Sequence, residues 1–244
     1  MKAVGIIPAR YHSTRLEGKP LADIHGQPMI QRVYENVMKA DVLDDVLVAT
    51  DDQRIVEAVE QFGGKAVMTS QEHTTGTDRI AEVAQKLDVQ VVINIQGDEP
   101  FISPTMIDEV AAPLLDEPEI PMCTLMHEIG EEDFQNSNVV KVVTDLSGFA
   151  LYFSRSLIPF PRYTEGHHAF EHIGIYGYQK DFLLKLTQLA PTPLEKTEAL
   201  EQLRVLENGY NIKVIATAAK DYIPLSIDTK EDLERARALI QSLS

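Results

Sequence analysis

The sequence predicts an α/β protein built as one domain, residues 1–244, on a mostly parallel, doubly wound sheet with a smaller mixed lobe at about residues 150–180. Three observations lead there. Short apolar runs alternate with amphipathic helical patterns through the first half of the chain, the rhythm of consecutive βα units. The runs are continuously apolar rather than alternating, as strands covered on both faces require. A chain of 244 residues, 44% hydrophobic and 25% charged, is of a size that forms one large domain and buries roughly 70% of its unfolded surface.

The elements follow in order. Residues 3–9 form an apolar run that stops at Arg10, a first strand. Pro28 opens a helix whose apolar face is Met29, Ile30, Val33, Val37 and Ala40. Residues 46–50 are a second strand. Asp51 and Asp52 are capping candidates for a helix through Gln61, which Gly63 and Gly64 end. A third strand at 65–69 precedes a helix marked by Ile80, Val83, Ala84 and Leu87. Residues 89–96 are the next strand, and Ser103-Pro104 opens a helix to about Leu115. The second half is less regular, with strands near 122–129, 139–144, 149–154 and 170–178. Helices are expected at about 192–207, stopped by Asn208-Gly209, and at 229–243. The irregular lobe is where a substrate wall or an oligomer contact would be built.

Charge narrows the function. Lys and Arg total 22 against 38 Asp and Glu, a formal net charge of −16. Such a surface repels polyanions, which argues against nucleic acid and anionic membranes as partners. Any phosphate site must be a local basic island. The single cysteine, Cys123, sits in an apolar run and is expected to be a buried, inert thiol in a reducing compartment. No export signal and no run of about 20 apolar residues is visible, so a cytoplasmic protein is expected.

Four segments could carry chemistry. Residues 10–19 follow the first strand and hold Arg10, Arg15 and Lys19 against one anion, Glu17, a local charge of +2. The end of a parallel strand is where phosphates are held by backbone N–H groups, hydroxyls and guanidinium forks. The segment is neither a Walker loop nor a dinucleotide glycine motif, and a solvated surface loop is the plain alternative. Asn94-Ile95-Gln96-Gly97-Asp98-Glu99-Pro100 ends an apolar strand in a carboxylate pair that suits Mg²⁺, or simply forms a turn. Near Asp228-Thr229 with Glu231-Asp232, a helix cap and a second metal ligand are both open. His167, His168 and His172 lack a third well-spaced ligand for zinc.

Together these segments resemble the sugar cytidylyltransferases, and within them the branch acting on 3-deoxy-D-manno-octulosonate (KDO). The residues are Ile7-Pro8-Ala9-Arg10-Tyr11 with Ser13, Arg15-Leu16 and Gly18-Lys19-Pro20, then Gly76-Thr77-Asp78-Arg79 and Gln96-Gly97-Asp98-Glu99-Pro100. The likeness continues through Tyr152-Phe153-Ser154-Arg155, His172-Ile173-Gly174-Ile175-Tyr176, Glu201-Gln202-Leu203-Arg204 and Asp228-Thr229. It spans nearly the whole chain in order.

The resemblance implies a Rossmann-like, nucleotide-diphospho-sugar transferase sheet. It also implies a reaction in which CTP and KDO give CMP-KDO and pyrophosphate, for lipopolysaccharide assembly. By the same resemblance Arg10, Ser13, Arg15 and Lys19 bind the CTP phosphates, with Pro8 and Ala9 beside the base. Thr75, Gly76, Arg79 and Gln96 read cytosine and ribose. Asp98 and Asp228 hold Mg²⁺, and with Lys19 make up the catalytic set. Arg155, Arg162, His172, Tyr176, Glu201 and Gln202 bind the sugar acid, and the chain pairs as a homodimer. The chain departs from the pattern at Glu17 and Lys230, where the family usually has proline, and at Thr75, where it usually has serine. A sialic-acid enzyme, one using the 8-amino analogue of KDO, a non-catalytic nucleotide-binding module and a related glycosyltransferase are the competing readings.

Overall fold

A computed structural model of the chain describes residues 1–13 and 15–243. Its centre is a nine-stranded sheet. The path runs β11 (Lys213–Ala216), β7 (Met122–Ile129), β10 (Ala169–Gln179), β6 (Val91–Asn94), β1 (Ala3–Ala9), β4 (Asp45–Thr50) and β5 (Ala66–Met68). β1 pairs in parallel with both β4 and β6, and β4 with β5. β10 alone on this path runs antiparallel, to β6 on one side and β7 on the other. β8 (Lys141–Thr144) pairs with β10, and β9 (Ala150–Ser154) with β8, extending the sheet as an antiparallel side branch. The mostly parallel α/β sheet read from the sequence is the one observed.

Both faces are covered because β1 points successive residues to opposite sides. Ala3, Ile7 and Ala9 pack with the apolar sides of α1 (Met29–Val37), α2 (Gln53–Gln61) and α4 (Pro104–Asp116). Val4 and Ile6 pack with α3 (Gly76–Gln85), α5 (Lys180–Leu186) and α7 (Gln202–Glu207). A third, smaller core joins Leu16, Ile24 and Met29 to Ile227, just before the last helix, and to Leu233 and Ala236 of that helix, α8 (Lys230–Leu243). Between β1 and α1 lies a short hairpin, β2 (Asp23–Ile24) and β3 (Gln27–Pro28), turned at His25 and Gly26, both with positive φ.

The structure departs from the sequence reading at this hairpin, where Pro28 ends β3 and caps α1 instead of opening the helix, and in three further places. The helix expected at 192–207 is broken into α6 (Pro193–Glu198) and α7, with Ala199 in the left-handed region at φ 52°. The cause is Arg155, whose Nε donates to the Glu198 carbonyl at 2.7 Å while Glu198's own carboxylate takes the Ser154 hydroxyl and the Arg155 N–H. The last carbonyls of α6 thus find a cation instead of another turn. α5 and β11 also escaped the pattern: both are short, and β11 shows only four residues at the sheet edge.

Gly177 marks the tightest helix-on-sheet contact near β10. A Cβ there would stand 2.6 Å from Leu114 Cδ1 and 3.1 Å from the Val110 carbonyl oxygen of α4. Gly177→Ala is expected to lower stability by about 1–3 kcal/mol through overpacking. Urea unfolding measures this; an unchanged midpoint would show that α4 rides freely over the sheet.

Candidate active site

A cleft of about 450 Å³ opens where β1 and β6 end, the position at which parallel sheets receive ligands. Pro8 and Ala9 bring β1 into it, and Arg10, Ser13, Arg15 and Lys19 line it from the following loop. The loop closes on itself where Gly18 donates its N–H to the Tyr11 carbonyl at 2.9 Å, in a left-handed conformation (φ 65°) that favours glycine. A 3₁₀ turn, Lys19–Leu21, then fixes the start of the lysine side chain. Opposite, Gly97 passes so close to β1 that a Cβ would stand 2.9 Å from the Pro8 carbonyl. The glycine of this segment is there for backbone approach.

The electrostatic centre is Lys19, whose side chain is 16% exposed. Its Nζ lies 2.6 Å from Asp98 Oδ2 and 3.1 Å from Asp228 Oδ1. Arg15 Nη2 reaches the same Asp228 oxygen at 3.0 Å. The two aspartates proposed from the sequence therefore converge on one cation.

The structure also resolves the choice at Asp228. Thr229 and Asp232 exchange the capping bonds of α8: the Asp232 N–H donates to the Thr229 hydroxyl at 3.2 Å, and the Thr229 N–H to the Asp232 carboxylate at 2.9 Å. Asp228 gives only its backbone N–H to Asp232, so its carboxylate is left to face Lys19. The cap is Thr229.

The base-side residues form the opposite wall. Gly76 begins α3, so the helix N-terminus opens on the cleft and offers unpaired N–H groups. Thr75 is the N-cap: its hydroxyl accepts from Asp78 N–H at 3.0 Å and donates to the Asp78 carboxylate at 2.8 Å. Its first task is to fix α3. Arg79 lines the cleft yet is fully buried, with Nη2 2.8 Å from Asp51 and Nη1 on Thr69. Its Nε is buried without a hydrogen-bond partner. Asp51 is thereby a partner of Arg79, and Asp52 is the cap of α2, accepting from Arg54 N–H. Gln96 lines the floor, with Nε2 3.5 Å from the Gly174 carbonyl.

The six residues assigned to the sugar acid separate into distinct settings, and none of them lines the cleft itself. Glu201 accepts from the Thr77 hydroxyl in the first turn of α3, and burial pushes its carboxyl above the usual range. Gln202 is buried with Nε2 lacking a hydrogen-bond partner. Tyr176 stands in β10 opposite Asn94, beyond a β-bulge between Ile173 and Tyr176. Thr124 supports that bulge, with its hydroxyl 3.1 and 2.7 Å from the Ile173 and Ile175 carbonyls. His172 lies behind it, 8% exposed, with Nε2 3.0 Å from Thr124 Oγ1 and its ring against Phe153 and Tyr176. Arg155 donates to the Glu198, Ala199 and Ser137 carbonyls, and Arg162 is exposed on the loop before β10.

Sequence reasoning missed three features. His12 also lines the cleft. Thr77 orients Glu201. The Asp98-Glu99 pair splits: Asp98 takes Lys19, while burial, with Asp98 and Glu171 adding repulsion, pushes Glu99 up to about 8. No local pattern signalled the Thr77–Glu201 and Lys19–Asp98 contacts, because each joins segments distant in sequence.

Sheet order, a strand-end cleft and a cation-carboxylate centre together describe a nucleotidyltransferase-type site, and the chain belongs to the cytidylyltransferase family, whose pattern it matches over residues 4–215. More narrowly, it is 52% identical to the 3-deoxy-manno-octulosonate cytidylyltransferase of Geotalea uraniireducens, with 96% of this chain and 97% of that one covered. It is 50% identical to the enzyme of the same name from Syntrophotalea carbinolica over the whole of both chains. The solved structure of CMP:2-keto-3-deoxy-manno-octonic acid synthetase complexed with CTP superposes with a TM-score of 0.96 at 45% identity, covering 100% of each chain.

His172 generates a pH prediction. Burial alone lowers its pKa from 6.5 to about 3, so between these values the unfolded chain binds a proton that the folded chain refuses. The stability it supports is complete above 6.5 and is lost as pH falls toward about 3. His172→Gln is expected to flatten this acid limb in thermal melts taken from neutral to acid pH. Parallel limbs for the two proteins would rule the buried neutral imidazole out as its cause.

Proposed function

We propose that the cleft transfers CMP from CTP to the anomeric hydroxyl of KDO, releasing pyrophosphate. The observation that carries this reading is Lys19 held between Asp98 and Asp228 at the end of β1, in a chain half-identical over its full length to enzymes named for that reaction. The sialic-acid and 8-amino alternatives have no such support.

The residues divide the work by position. Lys19, Arg15 and Arg10, with Ser13, meet the triphosphate, and the α3 N-terminus at Gly76 offers N–H groups beside it. Gln96 reads the ribose or base edge from the floor. The sugar acid is placed on the side of Gln96, Tyr176, Glu201 and Gln202, where the Gln202 Nε2 supplies a buried donor without a partner. Arg155 holds this wall by tying α6 to β9, and Arg162 on its exposed loop is the cation free to meet the sugar's carboxylate in a chain of net charge −16. Chemistry of this type needs alignment and neutralisation of charge rather than a covalent intermediate.

Asp98 and Asp228 fit Mg²⁺. Both carboxylates already converge on one cation, and among the described residues no group of three or more His, Cys, Asp or Glu could hold a metal. Two carboxylates with the remaining positions left to phosphate oxygens and water is the habit of Mg²⁺ in nucleotide sites. Bound there, the ion would supply charge neutralisation at the phosphates and acidify an adjacent hydroxyl.

The proposal extends to setting. The lobe of β8, β9 and the loop before β10 exposes Leu146, Leu151, Phe160 and Tyr163, which suits it to the contact of a homodimer. Among the described residues no helix is long and apolar enough to cross a membrane, in keeping with a cytoplasmic step that feeds lipopolysaccharide assembly.

Pyrophosphate release with CTP, Mg²⁺ and KDO tests the whole reading, with sialic acid and the 8-amino analogue as competitors; turnover of either competitor in preference to KDO would overturn the substrate assignment. Lys19→Ala is expected to cost about 2–4 kcal/mol of transition-state stabilisation in kcat/KM for CTP. Near-normal kcat/KM would remove the lysine from the phosphate site. Asp228→Asn is expected to fold normally, since Thr229 is the cap, and to lose on the order of 10²-fold in kcat. Mn²⁺ should recover part of that loss, and wild-type turnover in this variant would take Asp228 out of the metal site.

A further inference from the structure

Arg54 stands in the second position of α2, half-exposed and outside the cleft lining, yet its guanidinium is held twice. Nε and Nη2 donate to the Asp52 carboxylate at 2.8 and 2.6 Å, a bidentate fork. The carbon of the same guanidinium lies 3.3 Å from the centroid of the Tyr11 ring. Asp52 is itself fixed as the α2 cap by the Arg54 N–H at 3.0 Å. On its other contacts, Tyr11 accepts the Gly18 N–H at 2.9 Å through its carbonyl, and a Cβ at Gly18 would stand 3.2 Å from its ring. The ring therefore touches the closing turn of the phosphate loop and a cation anchored to a different helix.

We infer that Arg54 is a positioning residue for the nucleotide's phosphate chain, clamping Tyr11 and through it the loop that carries Arg10, Ser13, Arg15 and Lys19. The inference rests on the reading of that loop as the phosphate site. A loop of this length left unclamped spreads its cations over many arrangements, and the triphosphate must order them on binding. A guanidinium whose direction is set by a carboxylate fork meets the ring face without further ordering.

The plain alternative is an exposed Arg-Asp pair at a helix start, worth little and confined to α2. Steady-state pyrophosphate release with CTP and KDO varied separately, calorimetric binding of CTP and a thermal melt distinguish the two on the full chain. Arg54→Ala is expected to raise KM and Kd for CTP roughly tenfold, with kcat and KM for KDO moving less than about twofold. Arg54→Lys should recover part of the loss, keeping a cation but not the fork. Tyr11→Leu should match Arg54→Ala, and the double variant should be no worse than either single one. A lowered Tm with unchanged CTP parameters would make Arg54 a helix-start residue only, and additive losses in the double variant would separate it from Tyr11; either overturns the clamp. Lys19→Ala in the same assays tells the failures apart. Lost CTP binding there with normal binding in Arg54→Ala overturns the clamp alone, whereas normal binding in both overturns the phosphate-loop reading with it.

Discussion

One ammonium group between two carboxylates organises this molecule. Lys19, Asp98 and Asp228 come from the segment after the first strand, the turn after the central strand β6 and the residues just before the last helix. Partly buried charges must be paired, so bringing any one of the three to the cleft obliges the fold to bring the others. Much of the irregular structure serves that end. The Ile227 N–H donates to the Asp98 carbonyl at 2.9 Å, tying the two aspartate segments by their backbones. Arg237 of α8 donates to the Asp23 carbonyl, and His25 lies 2.7 Å from the Arg237 carbonyl, so the helix is moored to the hairpin that follows Lys19. The small apolar cluster of Leu16, Ile24, Met29, Ile227, Leu233 and Ala236 seals the same junction.

The cleft is shaped by backbone as much as by side chains. Pro8 occupies the end of β1 between two glycines: a Cβ on Gly76 would meet its ring at 3.3 Å, and one on Gly97 its carbonyl at 2.9 Å. Removing either side chain lets the α3 start and the β6 end close in on β1, where the loop of cations begins. The proline cannot offer an N–H in the middle of a parallel sheet, which is tolerable here because β1 is at its end and hands over to the loop.

What was legible in the sequence was local. The first half of the sheet follows from apolar runs and helical spacing, and the basic island from charge counted over ten residues. What was not legible depends on segments that meet only in the folded chain. The break between α6 and α7 is set by Arg155, far from both in sequence, and helical periodicity continues across it. His172 reads as a polar residue in a strand, but the bulge in β10 and the Thr124 hydroxyl take it inside. Asp228 and Thr229 are equally good caps by composition, and only the Thr229-Asp232 exchange shows which one is free. The stacking of Arg54 on Tyr11 had no signal at all, since the ring belongs to the distant loop after β1.

The pairing at the centre also bears on how a chain of net charge −16 accepts an anionic nucleotide. Lys19 and Arg15 are paired with Asp98 and Asp228, so the cleft's cations are matched by its own carboxylates. A triphosphate that takes those cations leaves two aspartates facing it across a few ångströms, an arrangement that repulsion makes unfavourable in a partly desolvated site. A divalent cation held by Asp98 and Asp228, as proposed above, would offset that repulsion by placing positive charge between the carboxylates and the phosphates. Binding of nucleotide and of cation would then be coupled free energies, each raising the affinity for the other by the same factor. On that reading the acidic surface and the self-neutralised cleft would act together, disfavouring anions that bring no metal.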